Sequence, residues 1–574
     1  MMRLKFEFRF LVLRSRPVRT SSAERLRAFC YAALTGAAAI GMSPEAVSAE
    51  SNRASHYSVE ERSIREIQAD LSSGIISSEE LVRIFQARVA SIDRSGPALR
   101  SVIVLNPHAL SDAKRLDAER RTGHIRGPLH GIPILIKDNI ESNDGTATTV
   151  GSLALAANVT YRDATVVRKI KDAGGIILGK NNIAEWALIR SAEPIDGWSA
   201  VGGLVKNPYS LDRSPCGSSS GTGAAIAANL ATVGVGTETD GSITCPSAYN
   251  SLVGLKPTVG LLSRTGVVPV SRVQDTPGPM ARSVEDVAIL LTAMAGTDPA
   301  DIATRDADSH KRDYARELAG ASLAGKRLGV LRFETGFSSA VDALFEHSIS
   351  ILRKQGAAIV EIRDFKPPDD LWKREILALH TEFKIDLNEY LASTPQSVTT
   401  RTLLDVIRFN RASERELALF GQEGLEAAES TGGLKDPSYV EARQTLRRDV
   451  ATDGIDALVL DNRLDALIAP SFGPAYRLDV VTGRHEAGDA ASLPAIAGYP
   501  HLTVPMGYVQ GLPVGISFVG RAWSEEQLLG IGAAFERATH ARRPPTYALS
   551  VEDSQSVSRA LEPMHRAQPT DEGR

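Results

Sequence analysis

Ile64, Ile67 and Leu71 recur at helical spacing, and beyond Gly74 the pattern repeats with Leu81, Ile84, Phe85, Val89 and Ile92. Ser77-Ser78-Glu79-Glu80 supplies an N-cap for the second of these amphipathic helices. Ile132 to Ile136 is then a continuous apolar run, predicted as a buried strand with Lys137 at its end. A helix through Val166, Val167 and Ile170 closes at Gly174-Gly175, and Ile176-Ile177-Leu178 follows as a strand. Ala224 to Leu230 reads as a small-residue helix. The alternation continues with a strand at 327–332, a helix at 341–355 and a strand at 358–362. Further strands are predicted at 464–469, 501–504 and 514–519. This order predicts an α/β fold, a central mixed or largely parallel sheet covered by helices on both faces. From 365 to 455 the strand signals stop and a Leu/Glu/Arg/Lys-rich stretch predicts a helical insertion, either a cap over a site or additional packing.

At 574 residues, 43% hydrophobic and 23% charged, the chain has the composition of a globular protein with a large core. Lys+Arg 65 against Asp+Glu 69 leaves a net charge of -4, which gives no basic field for nucleic acid. Arg25 and Arg27, the apolar run from Ala28 to Met42 and the small residues Val47-Ser48-Ala49 have the layout of a secretory signal ending before Glu50. Residues 1–49 are therefore expected to be a leader and 50–550 the folded domain, with 551–574 a polar, mobile tail. An uncleaved helix or membrane anchor is the alternative for the leader. No second apolar run reaches spanning length, so the mature protein is not expected to be membrane-embedded. Three cysteines make no disulfide framework; Cys216 and Cys245 could pair, but the expectation is that they are free, small core thiols.

The chemistry concentrates in three places: Leu129–Ile140 with Lys137, Gly217-Ser-Ser-Ser-Gly221, and Gly236-Thr-Glu-Thr-Asp-Gly-Ser242-Ile243, whose Ser242 lies 24 positions after Ser218. Amide hydrolysis needs a nucleophile, a proton acceptor and donors for the developing oxyanion. Ser242 follows Gly241, where the missing side chain lets backbone amides approach a substrate carbonyl. The N–H groups of Thr239, Asp240, Gly241 and Ser242 are the oxyanion-hole candidates. None of the 11 histidines lies in the serine motifs. Burial would hold Lys137 neutral, and Ser218 could relay a proton between it and Ser242.

These three motifs resemble the amidase signature hydrolases, over a stretch from about His56 to Tyr547 that includes 498–507 and 511–520. The resemblance implies a Ser–cis-Ser–Lys site, with Ser242 as nucleophile, Ser218 on a cis peptide as the bridge and Lys137 as base, and with no metal or organic cofactor. Two positions depart from the family pattern: Glu238 replaces the usual Asp, and Asp240 the usual Gly. Gly179–Trp186, Pro215–Gly221 and the form Thr-Glu-Thr-Asp-Gly-Ser-Ile-Thr-Cys-Pro are similar to the bacterial peptide amidase branch. That implies C-terminal peptide amides as substrates, hydrolysed to carboxylate and ammonia. The alternatives are other linear aliphatic or aryl amides, the amidase subunit of a tRNA-dependent amidotransferase, or a silent binding protein on the same fold.

Several features have blander readings. Ser219 sits at the centre of a G-x-S-x-G elbow, but the Pro-containing 207–215 segment before it is loop rather than strand. Asp138 could pair with Lys137 or, with Asn139, cap a turn. His124 and His130 lack companions at metal-ligand spacing. Trp186 and Trp198 are assigned to core packing rather than a substrate channel.

Overall fold

A computed structural model describes residues 57–563, so the leader and the last residues of the polar tail lie outside the described residues. The first two helices form where periodicity places them, at Ile64–Ser72 and Ser78–Arg88. Both start with capping boxes: Ser63 with Glu66, and Ser77 with Glu80. Their buried faces carry Ile64, Ile67, Leu71, Leu81, Val82 and Phe85.

An eleven-stranded sheet forms the centre. In chain order its strands are β1 (Val102–Leu105), β2 (Pro133–Lys137), β3 (Ile176–Asn181), β4 (Val233–Glu238), β5 (Val253–Lys256), β6 (Thr276–Ala281), β7 (Arg327–Leu331), β8 (Ala358–Ile362), β9 (Ala466–Pro470), β10 (His501–Val509) and β11 (Leu512–Val519). Their spatial order is β1-β3-β2-β4-β6-β5-β10-β11-β9-β7-β8. Pairing is parallel for β2 with β3 and β4, and for β7 with β8 and β9, and antiparallel elsewhere. The sheet is therefore mixed, and helices flank it. Four strands gave no sequence signal. One of them, β6, reads Thr-Pro-Gly-Pro-Met-Ala and is nevertheless fully buried and paired on both sides, because tertiary packing overrides its poor intrinsic preference.

The register of β2 against β4 sets Ile136 beside Val235, so Lys137 emerges level with the chain that leads to Thr237. The Gly/Ser loop starts its helix earlier than expected, at Ser220–Ala227. Gly221 allows the tight approach there, since a Cβ would stand 2.4 Å from Ser101 O and 2.5 Å from Asn182 N. The 365–455 stretch is mainly helical, led by Leu371–Ala392, Leu403–Ala412, Glu423–Glu429 and Pro437–Leu446. A buried Glu185–Arg190–Glu416 cluster ties it to the 185–200 segment. After Ser550 the tail forms one turn and a short helix, Gln555–Leu561. Among the described residues no helix is long and apolar enough to cross a membrane.

Candidate active site

Strand β2 delivers Lys137, fully buried, into the gap between β4 and the Gly/Ser loop. Its Nζ lies 2.8 Å from Ser218 Oγ, 2.9 Å from Thr237 O and 2.9 Å from Thr237 Oγ1. Asn139 Nδ2 donates to the same Thr237 hydroxyl at 2.9 Å. Desolvation lowers the Lys137 pKa to about 7, although the carboxyls of Asp275 and Glu238 pull the other way. Asp138 does not pair with Lys137. Its Oδ2 holds the Thr149 hydroxyl and the Gly151 amide, and burial raises it to about 6.

The Gly217–Ser218 peptide bond is cis. Ser219, the centre of the rejected elbow, donates from Oγ to Thr237 O at 3.1 Å and accepts from Thr237 N at 3.3 Å. That hydroxyl therefore stitches the loop to β4. The Ser219 amide also donates to Ser242 O at 3.2 Å, which draws the two serine motifs together. A cavity of about 10 Å³ lies behind Ser218, walled by Asn139, Thr237, Asp275, Val268 and Val270, and is the size of a single water.

Thr239 to Ser242 form the turn from β4 into the helix Thr244–Tyr249, with Gly241 at φ +71°. Among the described residues none accepts a hydrogen bond from the amides of these four residues, so they stand free for an external acceptor. The next two amides are taken: Glu238 Oε2 accepts from Ile243 N at 2.7 Å and Thr244 N at 2.9 Å. Burial raises the Glu238 carboxyl, and the nearby Lys256 opposes that. Thr239 Oγ1 donates to Asp275 at 2.6 Å, while the amides of Val270 and Ser271 hold the other Asp275 oxygen. Asp240 points away from the turn, accepting from Ser492 Oγ at 2.8 Å.

One expectation is overturned. Cys216 and Cys245 are not free thiols but form a disulfide. The cysteines, 29 residues apart in sequence, border the Ser218 and Ser242 motifs, which the hydrogen bond from the Ser219 amide to Ser242 O draws together, and the two half-cystines meet with Cα atoms 5.9 Å apart. Glu486 Oε1 approaches the Cys245 sulfur to 2.9 Å. Trp186 packs edge-on against Phe383, and Trp198 against Phe420, so both belong to packing clusters. His130 is held by Leu116 O at 3.0 Å. Sequence reasoning missed Thr237 as the residue that holds the lysine, although it sits inside the second serine motif. It also missed Asp275, Glu375, Asp489 and Ser492, which only the fold brings near.

The Amidase family pattern matches residues 80–529. The crystal structure of native peptide amidase from Stenotrophomonas maltophilia is 46% identical, covering 85% of this chain and 99% of that one, with a TM-score of 0.79. A probable amidase of Arabidopsis thaliana is 38% identical over 504 residues, 86% of this chain and 93% of its own length. A glutamyl-tRNA(Gln) amidotransferase subunit from Roseiflexus castenholzii is 35% identical over 499 residues, 83% and 95% respectively. With the three motifs meeting in one buried site and these likenesses spanning nearly the whole folded region, the chain belongs to the amidase signature family and is a hydrolase acting on amide bonds.

Proposed function

We propose that this protein is a stand-alone serine amidase that hydrolyses C-terminal peptide amides to carboxylate and ammonia through an acyl-enzyme. The observation that carries the reading is the environment of Lys137. A neutral amine has two N–H donors and one lone pair. Thr237 offers two oxygens at 2.9 Å, its carbonyl and its hydroxyl, which take both donors. The lone pair then faces Ser218 Oγ at 2.8 Å, oriented to accept a proton. Ser218 passes the proton along from Ser242, whose Oγ attacks the amide carbonyl. The amides of Thr239, Asp240, Gly241 and Ser242 receive the oxyanion. The proton returns to the leaving nitrogen, ammonia departs, and water, activated through the same relay, frees the acid. The relay involves no metal or organic cofactor.

The choice of peptide amides rests on the likeness to the peptide amidase and on the Thr-Glu-Thr-Asp-Gly-Ser-Ile-Thr-Cys-Pro segment, which resembles that branch. An extracytoplasmic location is supported by the signal-like leader together with the Cys216–Cys245 disulfide, since such bonds persist in oxidising compartments.

The test is ammonia release from a short peptide amide by the chain starting near Glu50, alongside Ser242→Ala and Lys137→Met. Turnover that both substitutions abolish is the expected result. Activity confined to simple aliphatic or aryl amides would move the substrate and keep the relay. Silence of folded protein on every amide would overturn the reading and favour a partner-dependent role like that of the amidotransferase relatives.

A further inference from the structure

Thr239 opens the turn that carries Ser242, and the register of β4 on β6 decides what holds it. Glu238 lies opposite Thr276 in that antiparallel pair, which brings the next residue, Thr239, beside the preceding one, Asp275. The Thr239 hydroxyl donates to Asp275 Oδ1 at 2.6 Å, and the Thr239 carbonyl accepts from Gln274 Nε2 at 3.4 Å. Two consecutive residues thus anchor both its side chain and its carbonyl. Among the described residues nothing accepts a hydrogen bond from its N–H.

The anchors are themselves fixed, and both are buried. Asp275 Oδ2 accepts from the amides of Val270 at 2.7 Å and Ser271 at 2.9 Å, and the Asp275 amide returns to Ser271 O at 3.0 Å. Residues 270–275 are therefore a loop closed on its own carboxylate. Two helices of the insertion grip that loop. Glu375 Oε1, on Leu371–Ala392, accepts from Gln274 Nε2 at 2.8 Å, and Arg443, on Pro437–Leu446, donates to Gln274 Oε1 at 2.6 Å. Glu382 binds both the Ser271 hydroxyl and Arg443, and Asp386 holds Arg272 by its amide and its guanidinium. A continuous chain of hydrogen bonds thus runs from the insertion to the first residue of the nucleophile's turn.

We infer that Gln274 and Asp275 are positioning residues that aim the Thr239 amide at the oxyanion, and that the helical insertion acts on the reaction through them. The inference rests on the amidase reading, which places the substrate carbonyl at Ser242. A donor stabilises developing charge best when it is already oriented and need not reorganise as the charge forms. With its hydroxyl and carbonyl both held, Thr239 meets that condition, and its amide is the group left over.

The probes are N-acetyl-phenylalaninal and N-acetyl-phenylalaninol. Ser242 Oγ adds to the aldehyde carbon, the carbonyl electron pair moves onto its oxygen, and the serine proton passes through Ser218 to Lys137. The aldehyde therefore presents an oxyanion, and the alcohol cannot. Wild type is expected to bind the aldehyde about 100-fold more tightly or better. Thr239→Val, Gln274→Met and Asp275→Asn should each bring that ratio to about tenfold or less, with the alcohol's affinity nearly unchanged. Thr239→Ser keeps the hydroxyl and should retain the wild-type ratio. Thr239→Val leaves the Val270 and Ser271 bonds in place, so it tests the idea even if Asp275→Asn unfolds. A ratio that survives Thr239→Val and Gln274→Met, even with stability lowered in urea, would overturn the inference and leave these bonds a structural role. A wild type that binds the two probes equally, or neither, would overturn it as well. Ammonia release from a peptide amide is measured separately. Its absence with the aldehyde preference and the variant pattern intact would sink the peptide-amide reading and leave the positioning role standing.

Discussion

Lys137 Nζ and Ser218 Oγ stand 2.8 Å apart in a place without solvent, and Thr237 occupies the remaining reach of the amine. Among the described residues the lysine has no carboxylate within ion-pairing distance. Its closest polar company is neutral, and that arrangement favours a base over a structural cation.

The first consequence concerns pH. With Lys137 at about 7 and its neutral form as the base, kcat/KM for a neutral amide substrate should be flat above pH 8 and fall about tenfold per unit below pH 6. A pH–rate profile checks this. A limb displaced to pH 10 would mean that the lysine stays charged at neutrality and cannot start the relay.

The same burial has a signature in stability. A lysine of unfolded pKa 10.5 and folded pKa about 7 binds fewer protons in the native state between those values. Stability therefore rises with pH across that window, and the penalty is fully present below pH 7. Lys137→Met removes the effect. Relative to wild type, the variant should be about 2–3 kcal/mol better off at pH 6 than at pH 9. Urea unfolding of both proteins at the two pH values measures the difference, which should coincide with lost turnover.

The Cys216–Cys245 bond begins two residues before Ser218 and ends three after Ser242, so both serines sit inside the loop it closes. Cys216→Ala/Cys245→Ala should cost about 2–4 kcal/mol in denaturant unfolding. It should also lower kcat by loosening the mutual placement of the two motifs. Unchanged stability in the double variant would mean that the surrounding contacts already hold the loop.

Glu238 is the other departure from the family pattern, and its length has a use. Its carboxylate reaches forward to the amides of Ile243 and Thr244. Glu238→Asp is one methylene too short to keep both bonds, leaving a buried donor unpaired at a cost of about 1–3 kcal/mol. Because those amides follow Ser242 directly, kcat should drop by roughly 10- to 100-fold with KM changed much less. A matched loss in KM alone would place Glu238 in substrate binding instead.

Much of this could be read from the chain itself. Periodicity placed the first two helices, the Ser77–Glu80 segment marked the cap of the second, and apolar runs placed β2, β3, β7, β8, β9, β10 and β11, because local hydrophobic spacing reports directly on which face is buried. It did not report the Gly- and Pro-rich strands β4 and β6, whose pairing comes from neighbours distant in sequence. The glycine-backed serines and a lysine ending an apolar strand pointed to Lys137, Ser218 and Ser242, the residues of the proposed relay. Their chemistry needs unusual local backbone, and glycine marks such backbone in sequence.

What only the tertiary structure decided are the relations between segments far apart in the chain. Thr237, rather than Asp138, became the partner of Lys137 through the register of β2 on β4. Cys216 and Cys245 became a disulfide because the motifs they border converge. Glu375, Asp489 and Ser492, 135 to 252 positions from Asp240, gathered around it because the helix Leu371–Ala392 and the 489–492 segment pack against the loop that carries Asp240 and Ser242. Sequence determines which groups are available and which stretches must be buried. Which of them share a buried pocket, and so shift one another's charge, depends on packing between elements, and no local pattern encodes it.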